Sequence, residues 1–413
     1  MGFSQGVSGL NAASDELDVI GNNIANSQTT GFKAGTASFA DIYAGSQVGL
    51  GVQVAGVTED YSDGTPTATD NPLNVAISNN GFFRTVNSSG AVYYTRDGDF
   101  QLDDNRNLVT STGQNVTGYP ASGTPPTIQQ GATPVNLSIP LTGMPAKETT
   151  TSTMALDLDS NSTALTTAAF NPNDSSTYSF SEPLTTYDSL GNAHNVSLYF
   201  VKTADNQWEG YAVDGSAPST TAPQDLGQLS FNSSGTLTGT TLPNGTATTP
   251  SDTFNITMTG VNGSSTSNFS INFTGSQQQY TTASNVTAQN QNGYSAGDLT
   301  SYAINNDGTI TGSYSNDQTQ LLGQIVLANF ANTQGLTDDG NNSWSATASS
   351  GPAMLGTAGN GSFGTLTSES LEGSNVNLSN ELVNLIVAQR DYQSNAQTIK
   401  AQDTIMQTLV SMS

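Results

Sequence analysis

The stretch ELVNLIVAQRDYQSNAQTIKAQDTIMQTL, residues 381–409, carries the sharpest periodicity in this sequence. Residues within and around it step alternately by four and three positions: Leu378, Leu382, Leu385, Gln389, Tyr392, Ala396, Ile399, Asp403, Met406 and Val410. This spacing is a heptad seam with polar interruptions at Gln389 and Asp403, and it predicts a long coiled-coil helix. Either Asn377 or Ser379 can supply the N-cap of that helix.

A second, weaker seam lies at the other end of the chain. Four apolar residues repeat there at a spacing of seven, flanked by Val7, Ala13 and Ile20: Phe3, Leu10, Leu17 and Ile24. Glycine costs up to ~1 kcal/mol relative to alanine inside a helix, and four glycines fall here: Gly2, Gly6, Gly9 and Gly21. We therefore expect a helix that needs packing partners and that orders only on assembly. The two ends either pair within one chain or also contact other subunits.

The charge balance restricts the partners of the chain. Its 413 residues include 33 acidic and 8 basic side chains, a net charge of −25, which disfavours nucleic acid and anionic membranes. Cysteine is absent, so disulfides and thiol chemistry are excluded. We find no apolar run of about 18 residues that could span a membrane. The first residues also lack the basic and apolar regions of a cleavable signal peptide.

The long middle of the chain has the composition of β structure. It is rich in Thr, Ser, Gly and Asn, and turn dipeptides such as Asp97-Gly98 and Asp307-Gly308 separate candidate strands. Residues 121–150 are rich in Pro and Thr and are interpreted as a connector, and residues 283–297 are interpreted as a second linker. These two segments bracket an insertion.

The whole pattern predicts a mainly β, multi-domain protein with α-helical coiled-coil termini and nested, discontinuous β domains. We expect four regions: terminal helices at 1–28 and 376–413, a connecting region at 29–71 and 359–375, an inner β domain at 72–146 and 286–358, and an outer inserted β domain at 147–285. The segments at 27–69 and 359–374 are expected to be compliant joints.

Several motifs carry a resemblance to a known family. Residues 17–33 read LDVIGNNIANSQTTGFK, and the matching positions are Asn22, Asn23, Ile24, Ala25, Asn26, Thr30, Gly31, Phe32 and Lys33. Residues 381–409 match at the other end, and residues 71–83, 94–120, 323–332 and 371–383 match between them. In this order the motifs resemble the flagellar rod, hook and hook-associated axial proteins.

Within that family the hook proteins are the most similar, because distal-rod relatives are shorter and lack a large inserted outer domain. The resemblance implies a structural subunit that polymerises with itself into a flexible curved tube, a universal joint between rod and filament. It also implies contacts with rod, hook cap and hook–filament junction proteins, and export by the flagellar type III apparatus without signal-peptide cleavage. The polymerisation seam is expected to comprise the apolar residues of both helical repeats listed above.

Enzymatic and metal-binding interpretations have little support. The sole histidine, His194, has no thiol to activate, and the two Gly-x-Ser-x-Gly matches at 2–6 and 293–297 do not join a strand to a helix. Four aspartates, Asp97, Asp99, Asp103 and Asp104, do not follow the order of a calcium loop. We expect no catalysis, metal or cofactor. The alternatives to a hook subunit are a distal-rod-type axial protein and a secreted β-rich adhesin or surface-layer protein.

Overall fold

The computed structural model describes residues 2–42, 49–167, 170–218, 221–248 and 251–412. These residues hold two α-helices, one near each end, with β-strands between them, which confirms the predicted fold class. The chain divides into two compact units. Unit 1 comprises Met1–Leu141, Thr300–Ser313 and Thr319–Ser413, and unit 2 comprises Thr142–Leu299 and Tyr314–Gln318.

The strands are numbered in chain order. The first group is β1 (Gly35–Asp41), β2 (Val52–Glu59), β3 (Pro66–Ala68), β4 (Val75–Ser78), β5 (Phe82–Val86), β6 (Val92–Thr95), β7 (Phe100–Leu102), β8 (Leu108–Thr110), β9 (Asn115–Ser122), β10 (Thr127–Ile128) and β11 (Val135–Asn136). The second group is β12 (Thr151–Asp159), β13 (Phe180–Tyr187), β14 (Ala193–Ala204), β15 (Gln207–Asp214), β16 (Gln224–Phe231), β17 (Leu237–Thr241), β18 (Thr253–Met258), β19 (Ser267–Asn272), β20 (Gln277–Gln279) and β21 (Asn285–Gln291). The third group is β22 (Leu299–Ile304), β23 (Thr309–Tyr314), β24 (Thr319–Ile325), β25 (Leu327–Asn329), β26 (Thr337–Asp338), β27 (Ser343–Ser345), β28 (Met354–Gly356), β29 (Thr365–Ser368) and β30 (Ser370–Glu372).

The helices are α1 (Gly2–Ala25) and α2 (Leu378–Met412). The Asn380 backbone N–H donates to Asn377 Oδ1 at 3.1 Å, so Asn377 rather than Ser379 caps α2. The first helix ends three residues before the predicted position, because the Ser27 N–H donates to the Ile24 carbonyl and the α-helical ladder is lost. Within the described ranges, no helix is long and apolar enough to cross a membrane.

Unit 1 is built around one 14-stranded sheet that mixes early and late parts of the chain. Its central order is β22-β23-β24-β9-β5-β6-β27-β26. Antiparallel pairs join β24 to β9 and β27 to β6, so segments on either side of unit 2 in the sequence share one sheet. The aromatic side chains of Phe82, Tyr94, Phe330 and Trp344 pack edge to face on it.

Two two-stranded ribbons lie wholly in the predicted connecting region, and a third pairs it with β4 of the predicted inner β domain, so the connecting region contains more regular structure than its composition indicated. They pair β1 with β2, β3 with β30, and β4 with β29. At the end of β2, Glu59 Oε2 accepts a hydrogen bond from Trp344 Nε1 at 2.7 Å and ties the first ribbon to the aromatic core.

Unit 2 is a β-sandwich. One five-stranded sheet has the order β18-β19-β12-β20 with β21 on β12, and the other has the order β13-β14-β15-β16-β17. Alternate residues of β14 and β18 point inward, and both sheets contribute to one core that includes Phe200, Trp208 and Phe254. The buried Trp208 Nε1 donates to Gln278 Oε1 at 2.9 Å.

Seven of the fifteen residues in the predicted linker at 283–297 belong to a strand instead, because β21 runs through Asn285–Gln291. The strand pairs antiparallel with β12, from Asn285 opposite Asp157 to Gln291 opposite Ser152. Most of its side chains are exposed. Exposed Asn, Gln and Thr on such a strand have the composition of a loop, which explains why the sequence prediction was wrong here.

The sole histidine lies in the interior of unit 2, where both of its ring nitrogens contact carboxylates. His194 is fully buried, with Nδ1 2.9 Å from Asp214 Oδ2 and Nε2 3.4 Å from Asp188 Oδ2. Burial by itself would raise the pKa of Asp188, but hydrogen bonds from Asn192 and from the Leu190 N–H hold it below its usual range. The histidine therefore joins the turn before β14 to the end of β15.

We predict that His194→Leu destabilises unit 2 by about 3 kcal/mol or more, because it removes a hydrogen-bond partner from two buried carboxylates. Urea unfolding, followed by Trp208 fluorescence in a Trp344→Phe background, measures the loss. The exposed turn residue Asp205 provides a control, since Asp205→Ala should be nearly neutral. A loss below about 1 kcal/mol for His194→Leu would contradict the structural role.

Candidate functional site

The two terminal helices pack against each other in an antiparallel sense. A Cβ placed on Gly6 would lie 3.0 Å from Ile399 Cγ1, and one on Gly9 would lie 2.7 Å from Asn395 Oδ1. The later residue of α1 therefore faces the earlier residue of α2, which shows that the two helices run in opposite directions. Two of the four glycines that weaken α1 as an isolated helix, Gly6 and Gly9, are therefore positions where α2 packs closely. The glycines predicted that α1 orders only on assembly, but α2 and the β1–β2 ribbon already pack against α1 within one chain.

The face of α2 turned toward α1 overlaps only partly with the predicted seam. Side chains that are at least partly buried are Glu381, Leu385, Ala388, Asn395, Ala396, Ile399 and Gln402. Three of them belong to the predicted seam, and Tyr392 is 37% exposed at its margin. The other predicted positions are exposed: Leu378, Leu382, Gln389, Asp403, Met406 and Val410. Their part in polymerisation stays a prediction.

On α1, too, the buried face overlaps only partly with the predicted seam. Phe3 is 55% exposed, and Leu10, Leu17 and Ile24 are partly buried. The buried positions among the described residues of α1 lie between them, and three of the five are Gly or Ala: Gly6, Ala12, Ala13, Ile20 and Asn23. A search for large apolar residues misses such positions. The repeat of Gly6, Ala13 and Ile20 at a spacing of seven was the signal that could have located the buried face.

Large apolar side chains remain exposed on the outside of the helix pair. The most exposed are Phe3, Val383, Ile386, Val387, Ile405, Met406 and Val410, each at least half exposed. Contiguous exposed apolar surface on a soluble protein marks an interaction site. The helix pair also contains a like-charge contact, because burial and then the Asp391 carboxylate raise the pKa of Glu16.

The asparagines of the 17–33 motif organise the end of α1. Asn23 is buried, and its side-chain amide both donates to the Gly35 carbonyl at 2.8 Å and accepts from the Gly35 N–H at 2.9 Å. This bidentate pairing fixes β1 against α1. Asn26 Nδ2 donates to the Asn22 carbonyl at 3.0 Å. Ile24 is half-buried, and Ala25 is exposed.

The second half of the motif contacts the turn around Asp97. Thr30 Oγ1 donates to Asp97 Oδ1 at 3.0 Å, and burial raises the pKa of that carboxyl. Gly31 has a φ of +66°, and a Cβ there would lie 2.6 Å from the Asp97 backbone nitrogen. The next residue, Phe32, is half-buried. Only glycine fits between the motif and this turn.

Lys33 ends the motif in a buried ion cluster. Its Nζ lies 2.6 Å from Glu372 Oε1 and donates to the Ser62 carbonyl at 2.7 Å, and both charged side chains are at most 1% exposed. Burial lowers the pKa of Lys33, which the Glu372 carboxylate opposes. The sequence signal for Lys33 was its place in the motif. Nothing in the sequence pointed to Glu372 as its partner.

Arg96 completes this cluster from the sheet of unit 1. Its NH1 lies 3.4 Å from both Glu372 Oε2 and Asp63 Oδ1, and its guanidinium lies 5.2 Å from the Phe82 ring centroid. The Gly64 N–H also donates to Glu372 Oε1 at 2.9 Å. The carboxylate of Glu372, six residues before α2, therefore joins the N-terminal motif to the sheet.

Family models match along the chain in the order that the sequence motifs indicated. Residues 4–33 match the flagella basal body rod protein model, and residues 76–145 match the flagellar hook protein FlgE/F/G D1 domain. Residues 156–294 match the flagellar basal body protein FlaE D2 domain, and residues 367–412 match the basal body rod FlgEFG protein C-terminal model.

Curated relatives decide the family. The flagellar hook protein FlgE of Escherichia coli K12 is 58% identical over 412 residues, covering 100% of both chains. The chain belongs to the flagellar hook protein FlgE family. The protein of the same name from Salmonella typhimurium is 57% identical over the full length of both chains. That from Rhizobium meliloti is 32% identical over 98% of this chain.

A solved structure agrees at the level of the fold. The crystal structure of Helicobacter pylori flagellar hook protein FlgE2 aligns with 74% of this chain at a TM-score of 0.53 and 13% identity. The FlgE-family relationship makes this chain a structural subunit of the flagellar hook. Neither the distal-rod alternative nor the adhesin alternative is favoured by full-length relatives that are all hook proteins.

The Gly-x-Ser-x-Gly matches and the aspartates considered as catalytic or calcium-binding candidates lie in ordinary helix, strand-end and turn positions. The Gly-x-Ser-x-Gly at 2–6 lies in α1, and the one at 293–297 follows β21. Asp103 accepts hydrogen bonds from the backbone of its own turn, at Asn105 and Asn107. Among the residues that the structure describes, no group of three or more His, Cys, Asp or Glu side chains could hold a metal ion.

We predict that Glu372→Gln destabilises unit 1 by about 3 kcal/mol or more, because the buried Lys33 then has no carboxylate and Arg96 keeps only the more exposed Asp63. Lys33→Met should cost less, since Arg96 still pairs with Glu372. Urea unfolding, followed by Trp344 fluorescence in a Trp208→Phe background, compares them. The exposed Glu369 is the control, and an equal effect of Glu369→Gln would argue against the cluster.

A matched pair of substitutions tests the glycine contacts. Gly21→Ala should stabilise α1 by up to ~1 kcal/mol, because alanine favours the helix and no atom lies within 4 Å of the new Cβ. Gly9→Ala gains the same propensity but meets the Asn395 side chain, so it should give no net stabilisation. Thermal unfolding by circular dichroism at 222 nm distinguishes them. Equal stabilisation by both would show that the helices do not approach each other at Gly9.

Proposed function

We propose that this hook subunit polymerises through the outer surfaces of its terminal helices into a curved, flexible tube that transmits torque from rod to filament. The observation that carries the proposal is the exposed apolar surface on the helix pair. The sheets of both units bury cores of large apolar residues, whereas α2 leaves Val383, Ile386 and Met406 at least half exposed.

Assembly would bury these side chains. Each fully buried Val, Ile, Leu or Met contributes roughly 1.5–3 kcal/mol, so several exposed positions per subunit supply a substantial driving force. The predicted seam residues Leu378, Leu382, Met406 and Val410 are in this exposed set. We assign them to contacts between subunits, and we assign Leu385 and Ile399 to the helix pair within one subunit.

The surface composition suits a joint that must bend repeatedly. Charged residues make up 10% of the chain, and the polar surface is mainly Ser, Thr, Asn and Gln. Uncharged polar contacts cost less to break and re-form in water than desolvated ion pairs. We propose that the inner and outer β domains, at about the boundaries expected from the sequence, move as rigid bodies while contacts between copies exchange.

The partners, the export route and the absence of chemistry that we propose follow from the role of a hook subunit. We propose a non-enzymatic subunit without cofactor or metal, whose partners are other copies of itself and the rod, hook cap and hook–filament junction proteins. We also propose export through the flagellar type III apparatus to the hook. The acidic charge of the chain supports a surface that binds neither nucleic acid nor anionic membrane.

Electron microscopy of the purified protein tests the central proposal. We predict that the full chain forms short curved tubes and that deletion of residues 378–412 abolishes them. The deletion should leave Trp208 fluorescence and the urea midpoint of unit 2 unchanged, which controls for misfolding. Tubes formed by the truncated chain, or sheets and monomers formed by the full chain, would contradict the proposal.

A further inference from the structure

We propose that the outer face of α1 in one copy packs antiparallel against the outer face of α2 in a second copy, in the register that sets Asp18 opposite Arg390. This inference rests on the proposed polymerisation and names the surface and register through which two copies meet.

The cations of the chain leave few candidates for such a contact. Of the eight basic residues, Lys33, Arg96 and Lys202 are buried and bonded, and Arg84 and Arg106 donate hydrogen bonds within unit 1. Lys147 is partly buried and belongs to unit 2, away from the helices in the sequence. On α2, Arg390 and Lys400 are exposed, and neither side chain has an ion-pair or hydrogen-bond partner in the described part of the chain.

The first helix offers the complementary charge. Residues 2–25 contain no basic residue, and their carboxylates are Asp15, Glu16 and Asp18. Glu16 faces Asp391 within the helix pair. Asp18 is exposed, and its carboxylate also has no bonded partner among the residues described.

Each helix also has a row of residues, called here its outer stripe, on the side away from the α1–α2 contact within one copy. The residues of each outer stripe are three or four positions apart. On α1 the exposed or partly exposed stripe is Phe3, Val7, Asn11, Ser14, Asp18, Asn22 and Ala25. On α2 the exposed stripe is Val383, Ile386, Arg390, Ser394, Gln397, Ala401 and Ile405. Both stripes repeat with steps of four, four and three, an eleven-residue period close to that of a straight helix, so each stripe keeps to one side of its helix and can face the other along its length.

The two stripes match along their whole length in one antiparallel register. With Asp18 opposite Arg390, the exposed Phe3 meets Ile405 and Ala25 meets Val383. Between these ends, the other facing positions hold small, apolar or uncharged polar residues, so no second charge is buried.

The antiparallel sense follows from the fold and from a tube in which all copies point the same way. Because α1 and α2 are antiparallel within one copy, the α2 of a neighbour with the same polarity is antiparallel to this α1. A second copy of the chain is therefore the occupant that fits both the direction and the charge.

A charge swap tests the register. Asp18→Arg and Arg390→Asp should each raise the critical concentration for tube formation by about tenfold or more, because like charges then meet at the contact. The double variant Asp18→Arg/Arg390→Asp should return it to within about threefold of the wild type. Loss in the single variants without recovery in the double variant would overturn the proposal, as would normal assembly of the single variants.

Lys400→Asp is the matched control, because it makes the same charge change on α2 about 80° around the helix axis from Arg390. It should assemble within about threefold of the wild type. An equal loss for Lys400→Asp would show a general charge effect and overturn the assignment of Arg390. If the wild type forms no tubes, the proposed function fails and this inference fails with it.

Since the chain contains no cysteine, a disulfide provides a second measurement. Val7→Cys/Ala401→Cys should cross-link neighbouring copies in oxidised tubes and give a ladder of multimers on denaturing gels. Val7→Cys/Gln397→Cys, one helical turn out of register, should cross-link far less. Equal ladders from both pairs, or a ladder only from the second pair, would overturn the register.

Discussion

The buried pairing of Lys33 with Glu372 is the constraint on which the rest of unit 1 depends. The two residues lie 2.6 Å apart although 339 positions separate them in the chain. Glu372 also receives Arg96 from the sheet and the Gly64 N–H from the connecting region. Breaking such a cluster leaves an unpaired charge in a site that water does not reach, which is far more costly than losing a surface pair. The point where both helices join the sheet is therefore fixed.

This anchoring explains how a chain with exposed apolar helices can keep their outer faces available. Asn23 holds β1 by both of its amide groups, and Asn375 accepts from the Ala34 N–H at 2.8 Å. These polar contacts position the helix pair without using its outer side chains. The apolar residues that would otherwise stabilise a monomer stay exposed, which is what the proposed contacts with other copies require.

The sequence predicted the helices, the β middle and the family motif, because each leaves a local pattern. It located Leu385 and Ile399 on the face between the helices, since large apolar residues at heptad spacing mark a seam. It missed Gly6, Gly9 and Ala388, because small contact residues have no apolar signature of their own. It also read β21 as a linker, since its exposed Asn and Gln side chains look like loop sequence. The partner of Lys33 could not be found, because nothing local distinguishes Glu372 from other acidic residues.

A contact between copies that repeats along both helices needs something to select its register. The outer stripes are mostly small, apolar or amide side chains, and sliding one helix by one eleven-residue repeat would keep the overlapping stripe positions facing each other. A slide in one direction sets Asp18 opposite Ala401 and moves Arg390 beyond the end of α1, and a slide in the other sets Arg390 opposite Val7 and Asp18 opposite Ser379. Either slide separates Asp18 from Arg390 and leaves at least one of them unpaired in a partly dry interface, so the proposed pair acts against wrong registers more than it adds to affinity. In the proposed tube, a single charged pair among sliding contacts would let the tube bend while its subunits keep their order.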